Sequence, residues 1–386
     1  MKIITKNIWI LSLVSLFTDV ASEMLYPIMP VYLKTIGFSI VLIGVLEGFA
    51  EATAGLSKGY FGNLSDNKRK RLPFIQAGYS FSAISKPMMA LFSYPLWIFF
   101  SRTMDRLGKG IRTGARDALL SDEATPQTKG RVFGFHRSMD TLGAVIGPLL
   151  ALVYLIYYPN DYKTLFIVAF FPGIIAIAFT FFIKEKKKEV PIQKAKIGLL
   201  DFIKYWKESP AIYRKLVGAL LVFTLFNSSD VFLLLKIKEA GFNDTTVIGI
   251  YIFYNMVYAL LSYPLGILAD RIGMRKIFTS GLIFFVTVYL GMAYAENKVV
   301  FMALFFIYGI YAAATEGIAK AWITNICKKE NTATAIGTYT AFQSIATMLA
   351  SSLAGVIWFS FGASATFIIT GIMVFGVTIY IAQIKN

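Results

Sequence analysis

The sequence GILADRIGMRK at residues 266–276 closes a long apolar segment with a glycine, an aspartate and several basic residues. A related sequence, GNLSDNKRKR, lies at residues 62–71 and also follows an apolar segment. The glycine and the aspartate have the same spacing in both copies. A Gly-Phe pair precedes each copy by the same distance, at 37–38 and 241–242. Two structural repeats in a membrane protein predict a transporter whose substrate site lies between the repeats.

The composition also predicts an integral membrane protein. Hydrophobic residues make up 56% of the chain and charged residues only 16%, which is too apolar for a soluble domain of 386 residues. We expect an all-α membrane protein with two pseudo-symmetric six-helix bundles, at 1–183 and 215–386, joined by a cytoplasmic linker at 184–214. A bilayer-spanning helix needs about 20 apolar residues. Twelve segments of this kind lie near 8–33, 38–61, 72–93, 95–117, 132–158, 164–183, 215–235, 246–268, 276–294, 299–320, 333–358 and 363–383.

The formal net charge of +16 is distributed as a topology signal. Basic residues collect in alternate loops, after the second, fourth and eighth segments and at the start of the linker. Because positive charge near segment ends stays cytoplasmic, we expect a multi-pass protein of the cell membrane with both termini and the linker in the cytoplasm. This distribution does not predict a nucleic-acid partner. Residues 8–33 are too long for the core of a signal peptide and are interpreted as the first span.

The linker contains a predicted amphipathic helix. Ile197, Leu200, Ile203 and Trp206 share one helical face, and charged residues such as Lys204 lie on the other. Such a helix is expected to lie on the inner surface of the membrane. A tether between the two halves is the preferred interpretation, and a regulatory site is the alternative.

These features together resemble the major facilitator superfamily over the whole chain. That family has twelve helices in two bundles and a loop motif, G-x-x-x-D-R/K-x-G-R/K-R/K, between helices two and three. The copy at 266–276 fits the motif closely, whereas the first copy has Asn67 and Arg69 where a base and a glycine are usual. The resemblance implies that this motif holds the bundles together on the cytoplasmic side, with a solvated turn as the alternative. The residues implied are Gly62, Asp66, Arg71, Gly266, Asp270, Arg271 and Gly273.

The fifth segment matches part of the antiporter motif of the same family. That motif is G, eight residues, G, three residues, G-P, two residues and G-G, and here Ala151 and Leu152 replace the final glycines. Small residues let helices approach closely and proline suits a hinge, so the resemblance favours export, with plain packing as the alternative. The candidate residues on this helix are Gly134, His136, Arg137, Asp140, Gly143, Gly147 and Pro148.

Two further sequences look like those of a prokaryotic subgroup of the superfamily. DRxGKGxR begins at residue 105 in the fourth segment, and GFHRxMD begins at residue 134 in the fifth. Arg102 is close to the place of the fourth-helix arginine that the family links to proton coupling. The glutamine-glycine that follows it in the family is replaced here by Asp105-Arg106.

Ionisable residues inside the predicted spans are candidates for a solute or proton pathway, because each costs a few kcal/mol unless it is paired or hydrated. In the fourth segment they form a stripe about 100° wide, which must face other helices or water. Counted from Pro95 at about 1.5 Å per residue, Arg102 lies roughly 10 Å deep and Asp105 roughly 15 Å. The candidates in this stripe are Arg102, Asp105, Arg106, Lys109 and, at its edge, Arg112.

Acidic residues in the first two segments supply counter-charges. Asp19 and Glu23 share a face of the first segment, and Glu47 and Glu51 share a face of the second. Because helices one and four line the cavity in the family, the resemblance implies that Asp19 and Glu23 meet the fourth-segment bases near mid-membrane. A carboxylate near a base but open to water can exchange a proton when a solute displaces its partner. A permanent salt-bridge network is the alternative, above all for Glu47 and Glu51.

The second half of the chain has fewer such residues. Asp230 lies in the seventh segment, and Glu316 and Lys320 lie one turn apart in the tenth. The last two either line the cavity or form an intrahelical pair. His136 is the only histidine and can titrate near neutral pH. It lies only about one turn inside the fifth segment, so a structural role is preferred.

Proton-coupled secondary transport with alternating access is the favoured hypothesis, with export of a small organic solute. The basic fourth segment favours an anionic solute. Proton-coupled import of a small organic anion and a transporter-like sensor or scaffold without flux are the alternatives. We expect a functional monomer whose partners are the solute, protons and the lipid bilayer.

An enzyme is not expected from this sequence. With one histidine and one cysteine, Cys327, the chain offers little for a nucleophile–base set, and it has no metal-ligand cluster. The glycines at 108–114 lie in a spanning segment and not in a nucleotide-binding loop. We therefore expect no cofactor and no metal.

Overall fold

The structure is a computed structural model that describes residues 3–26, 28–185, 198, 200–227 and 230–384. The described residues form helices and loops, with no β-strand among them. The helices are α1 Lys6–Glu23, α2 Met29–Thr35, α3 Ile40–Lys68, α4 Leu72–Leu91, α5 Pro95–Asp122, α6 Lys129–Tyr157, α7 Tyr162–Val168, α8 Phe170–Thr180, α9 Asp201–Glu208, α10 Ala211–Phe226, α11 Asp230–Glu239, α12 Asp244–Ile272, α13 Met274–Met292, α14 Lys298–Ile326 and α15 Thr332–Gln383.

The helices follow the twelve predicted segments. The first segment contains α1 and α2, the sixth α7 and α8, and the seventh α10 and α11. The eleventh and twelfth segments are joined in α15, which is interrupted at Gly362 with φ 84° and ψ 171°. A positive φ of this size suits glycine, and it falls at the predicted boundary between 333–358 and 363–383. The twelve-helix architecture is therefore confirmed.

Local sequence signals explain where several helices begin. Thr5 accepts a hydrogen bond from the backbone N–H of Ile8, and Ser39 and Asn243 cap α3 and α12 in the same way. These side chains satisfy amide groups that the first turn of a helix leaves without partners. Helices α4 and α5 instead have a proline in their first turn, where a missing N–H costs nothing.

The described helices differ in how apolar they are. Helices α3, α4 and α5 have the length of a membrane span, and α1 joins α2 in the first segment, but these helices hold the charged stripes predicted from the sequence. The other segments hold fewer charged residues. Among the described residues, seven stretches are long and apolar enough to cross a membrane by length and composition alone: 129–157, 162–180, 211–239, 246–272, 274–292, 298–326 and 329–383.

The chain divides into two compact units. In the first unit, α3 and α4 both pack along α5, and α1 packs against α8. Buried apolar residues such as Met24, Leu33, Leu46 and Phe166 form part of its core. The division of the chain into bundles at 1–183 and 215–386 stays a prediction. The first unit contains residues 1–124, 139–208 and 327–344.

The second unit has an aromatic core. Helix α14 packs against both α12 and α13. Phe285 and Tyr289 of α13 stack with ring centroids 4.0 Å apart, and Phe285 meets Tyr311 of α14 at 4.9 Å. Contacts between aromatic rings at these distances add to the energy of burial. The second unit contains residues 125–138, 209–326 and 345–386.

Candidate functional site

Asp66 of the first motif copy binds the start of another helix. Its Oδ2 atom accepts hydrogen bonds from both N and Oγ1 of Thr334, each at 2.6 Å. Thr334 lies in the first turn of α15, where backbone amides lack helical partners and the helix dipole favours negative charge. Arg71 forms a salt bridge with Asp66 and donates to Ser65 Oγ at 2.9 Å. We call this buried cluster the first aspartate site.

Asp270 of the second copy makes the equivalent contacts with α6. Its carboxylate accepts from Gly130 N at 2.7 Å and from Arg131 N at 2.9 Å, both in the first turn of that helix. The Arg131 Nε atom adds a third bond at 3.1 Å. We call this cluster the second aspartate site. The sequence named Arg271 as the base, but Arg271 is exposed and Arg131 takes that place.

The motif glycines mark close approaches or a turn. A Cβ atom at Gly62 would lie 2.5 Å from the carbonyl oxygen of Ala333, and one at Gly266 would clash with the carbonyl oxygen of Gly130. These are the helices that the two aspartates bind. Gly273 has φ 104° and ends α12, so its backbone conformation strongly favours glycine.

Arg102 of the fourth-segment stripe is paired with Glu47 of α3. Its Nε and Nη2 atoms donate to the two carboxylate oxygens at 2.8 and 3.0 Å, which is a bidentate geometry. Arg106 Nη2 lies 3.9 Å from the same carboxylate. Arg102 is buried, whereas 37% of the Glu47 side chain is exposed, so this pair reaches open space on its acidic side.

Asp105 is enclosed by bases. Lys86 of α4 donates to its Oδ1 at 3.0 Å, and Arg102 Nη1 lies 3.8 Å from its Oδ2. Both Lys86 and Asp105 are buried. Removing one partner of such a buried pair strongly destabilises the protein, because the remaining charge stays buried without a partner. For Asp105 the geometry therefore fits the structural alternative, in which the pair ties α4 to α5.

The bases nearer the end of α5 are also engaged within the first unit. Arg112 donates to Ser82 Oγ at 2.5 Å and lies over the ring of Tyr79, 4.5 Å from its centroid. Arg116 Nε donates to Asp117 Oδ1 at 2.9 Å. Both guanidinium groups therefore have partners within the first unit, although the buried Nε of Arg112 has no hydrogen-bond acceptor among the described residues.

Lys109 differs from its neighbours on α5 because it is exposed. Opposite charges that act on it come from Glu51 of α3 and Asp19 of α1, while Arg106 repels it. Glu51, Asp19 and Glu23 are all partly exposed. Residues of the first, second and fourth segments thus act on one another electrostatically around an exposed lysine, and their role in a solute or proton pathway stays a prediction.

In the second unit, Asp230 and Glu316 have separate partners. Tyr308 Oη donates to Asp230 Oδ1 at 2.7 Å. Arg137 Nη2 lies 3.9 Å from Glu316 Oε2, with 33% and 39% of these two side chains exposed. Arg137 is therefore one partner of Glu316, and the intrahelical pairing of Glu316 with Lys320 stays a prediction. Lys320 is partly buried.

Tyrosines surround Asp230 more closely than the sequence indicated. The rings of Tyr254 and Tyr308 lie 5.0 Å apart, and those of Tyr308 and Tyr311 lie 5.1 Å apart. Tyr258 Oη accepts a hydrogen bond from Arg137 Nε. Helical periodicity places Tyr251, Tyr254 and Tyr258 on one face of α12, but it does not reveal that tyrosines of α14 meet this face.

The helix-five motif marks a close contact between α6 and α1. A Cβ atom at Gly143 would lie 2.5 Å from Leu16 O, and one at Gly147 would lie 2.7 Å from Met24 N. At Gly134 the neighbour is Ser262 O of α12, also at 2.5 Å. His136 and Asp140 are buried, and Pro148 lies inside α6. In the part of the chain that the structure describes, no group of three or more His, Cys, Asp or Glu could hold a metal ion.

The linker helix α9 belongs to the first unit and packs there against α3 and α15. Phe202 is buried, and a Cβ atom at Gly59 of α3 would lie 2.7 Å from its ring. Thr338 Oγ1 of α15 donates to Phe202 O at 3.2 Å. Leu200 and Ile203 are exposed, whereas the ring of Trp206 lies 5.9 Å from that of Phe342 in α15. Ile197 lies outside the described residues, and the position of this face on the membrane surface stays a prediction.

The comparisons with known proteins agree with this architecture. A family model described as Major Facilitator Superfamily matches residues 11–255 and 216–384. The chain is 32% identical over 361 residues to an uncharacterized MFS-type transporter of Methanocaldococcus jannaschii, covering 92% of this chain and 89% of that relative. It is 23% identical over 314 residues to the multidrug resistance protein MdtG of Escherichia coli, covering 79% and 76% of the two chains.

Solved structures show the same fold at low identity. The human organic anion transporter MFSD10 superimposes with a TM-score of 0.82 at 15% identity, covering 97% of this chain and 98% of that one. The fucose:proton symporter FucP of E. coli superimposes with a TM-score of 0.78 at 11% identity, over 100% of both chains.

Proposed function

The chain belongs to the major facilitator superfamily, and we propose that this multi-pass membrane transporter exports a small organic solute in a proton-coupled reaction. The observation that carries the proposal is the electrostatic attraction of the exposed Lys109 on α5 to Asp19 on α1 and Glu51 on α3. Charges at such depth are costly in a membrane unless they are paired or hydrated. A solute and proton pathway accounts for them.

The two aspartate sites support alternating access. Each carboxylate binds backbone amides at the start of a helix from the other half of the sequence, Asp66 at Thr334 and Asp270 at Gly130. Bonds between an aspartate and a helix start can be broken and remade without rearranging the fold. We infer that these sites form when one side of the transporter closes and separate when it opens.

Export is supported by the helix-five motif and by the relative MdtG. The glycines of the motif bring α6 against α1 and α12, as a hinge helix requires. MdtG is named a multidrug resistance protein, and this chain is 23% identical to it. These two observations favour exchange of the solute for protons.

Lys109 favours a second candidate, proton-coupled uptake of an organic anion. It is the exposed base of the stripe, whereas Arg102 is engaged with Glu47. An anion that draws Lys109 away from Asp19 leaves that carboxyl with less positive charge nearby. Proton binding to Asp19 then becomes more favourable while the anion is bound, so the two would move together.

A vesicle assay separates these candidates. The purified protein is placed in liposomes that contain a pH-sensitive dye, with equal pH on both sides, and panels of organic anions, organic cations and sugars are added outside. Entry of a solute in exchange for protons raises the internal pH, whereas entry together with protons lowers it. Radiolabelled solute entering without any change in internal pH contradicts proton coupling. No entry of any solute favours the sensor or scaffold.

Arg102→Ala should abolish this transport while the protein remains folded. The substitution removes the bidentate partner of Glu47 and one neighbour of Asp105, so the stripe loses its arrangement. Arg102→Lys keeps the charge but lacks the planar geometry, and we expect it to restore only part of the rate. The measurement is the initial rate of the internal pH change with the best solute. A wild-type rate in the Arg102→Ala variant would remove Arg102 from the mechanism.

A further inference from the structure

The carboxyl groups of Asp19 on α1 and Asp140 on α6 lie within hydrogen-bonding contact of each other. The helix backbones create this contact. Gly143 lies almost one turn beyond Asp140, and a Cβ atom there would be 2.9 Å from the Cβ of Asp19. Ser15, one turn before Asp19, donates its hydroxyl to Asp140 Oδ1. The same faces of both helices therefore hold the two acids together.

Two ionised carboxylates cannot form such a contact. Both would be acceptors only, and their negative charges would repel each other in a site with little water. A single proton between them turns one group into a donor and leaves one negative charge. Pairs of this kind bind and release protons as a unit.

The surroundings indicate which acid carries the proton. Asp140 accepts from Ser15, and Arg116 Nη1 donates to Ser15 Oγ at 3.3 Å. Arg116 is itself held by Asp117. These donors stabilise a charged Asp140. Asp19 faces Glu23 of its own helix and Lys109 of α5, in addition to Asp140.

Access to the pair is one-sided. Asp140 is only 8% exposed, whereas Asp19 is partly exposed and Lys109 beside it is exposed. A proton can therefore leave or enter through Asp19, on the side that we assign to the solute. Arg116 and Ser15 lie on the buried side of the pair.

We propose that Asp19 and Asp140 share one exchangeable proton and form the proton-binding site of the transporter, an assignment that rests on the proposed function. From the sequence, Asp140 is a candidate only as part of the helix-five motif. The geometry gives it a direct part in proton binding. Ser15 and Arg116 are positioning residues that fix the charged oxygen of Asp140.

Infrared spectroscopy of the intact protein in lipid tests this pair without any solute. The wild type should show the C=O stretch of a protonated carboxylic acid at neutral pH, and the band should move in D2O. Asp19→Asn and Asp140→Asn should each lose that intensity. Both changes are nearly isosteric. The new amide can also donate a hydrogen bond to the remaining acid or accept one from it. Tryptophan fluorescence confirms folding.

Asp161→Asn is the matched control. Asp161 caps α7 from the loop before it, and hydrogen bonds from the Tyr154 hydroxyl and from Thr164 hold its pKa below the ordinary value. It is therefore ionised at neutral pH, and its loss should leave the band unchanged. Equal band intensity in the wild type and in both pair variants would overturn the proposal.

The vesicle assay separates this proposal from the proposed function. If both pair variants lose the band but still move protons with solute as the wild type does, the pair is not the transport site and the proposal fails. If both admit solute without any change in internal pH, the proposal is supported. If wild-type vesicles move no protons, the proposed function fails, and the band alone decides whether the pair binds a proton.

Discussion

Asp66 anchors the first turn of α15 with two short bonds to Thr334, and the single cysteine of the chain lies nearby. Cys327 Sγ is 4.0 Å from Thr332 Oγ1, at the first residue of the same helix. Asp66→Ala should weaken this anchoring by about 1.5–3 kcal/mol for a hydrogen bond to a charged group. That corresponds to roughly a ten- to hundredfold shift towards the open arrangement. The labelling rate of Cys327 with a maleimide should rise accordingly.

Asn67→Ala is the control for this residue. Among the described residues, the hydrogen bonds of the Asn67 side chain go to Asn63, one turn earlier on α3, and none goes to α15. The labelling rate of Cys327 in the Asn67→Ala variant should match the rate in the wild type. Equal rates in the Asp66→Ala variant and the wild type would show that the aspartate does not hold α15.

At the scale of the element, the packing of α9 against α3 requires that residue 59 has no side chain. Gly59→Val should push the Phe202 ring away and release α9 from α3 and α15, because the ring lies where the new Cβ would be. Trypsin should then cut at Lys204 and Lys207 several times faster, as judged by the appearance of two half-length fragments. In the control variant Gly48→Ala, nothing lies within 4 Å of the new Cβ, and trypsin should cleave it at the wild-type rate. Unchanged cleavage in Gly59→Val would mean that α9 is held elsewhere.

The helices themselves were accessible from the sequence, but their contacts were not. Hydropathy and helical period placed Arg102 and Asp19 on polar faces, because both signals are local. The partners are distant in sequence: Glu47 lies 55 residues from Arg102, and Arg131 lies 139 residues from Asp270. Periodicity selects a face of a helix but not the helix that it meets. For this reason Arg131 was missed as the base of the second aspartate site.

For the molecule as a whole, the alternating basic loops predict which side faces the cytoplasm. A green fluorescent protein fused to either terminus should fluoresce, and alkaline phosphatase fused there should be inactive, because both termini are expected inside the cell. A phosphatase fusion after Lys163, in an intervening loop, should be active. Active phosphatase at either terminus would reverse the predicted topology.

The second aspartate site has a consequence for sequence drift. Two of the three donors to Asp270 are backbone N–H groups, and every amino acid except proline supplies one. Residue 131 can therefore vary widely while Asp270 keeps its hydrogen bonds to the backbone. At position 130, any residue larger than glycine would displace the carboxylate of Asp270. We therefore expect sequence change to preserve the acid at position 270 and the glycine at position 130.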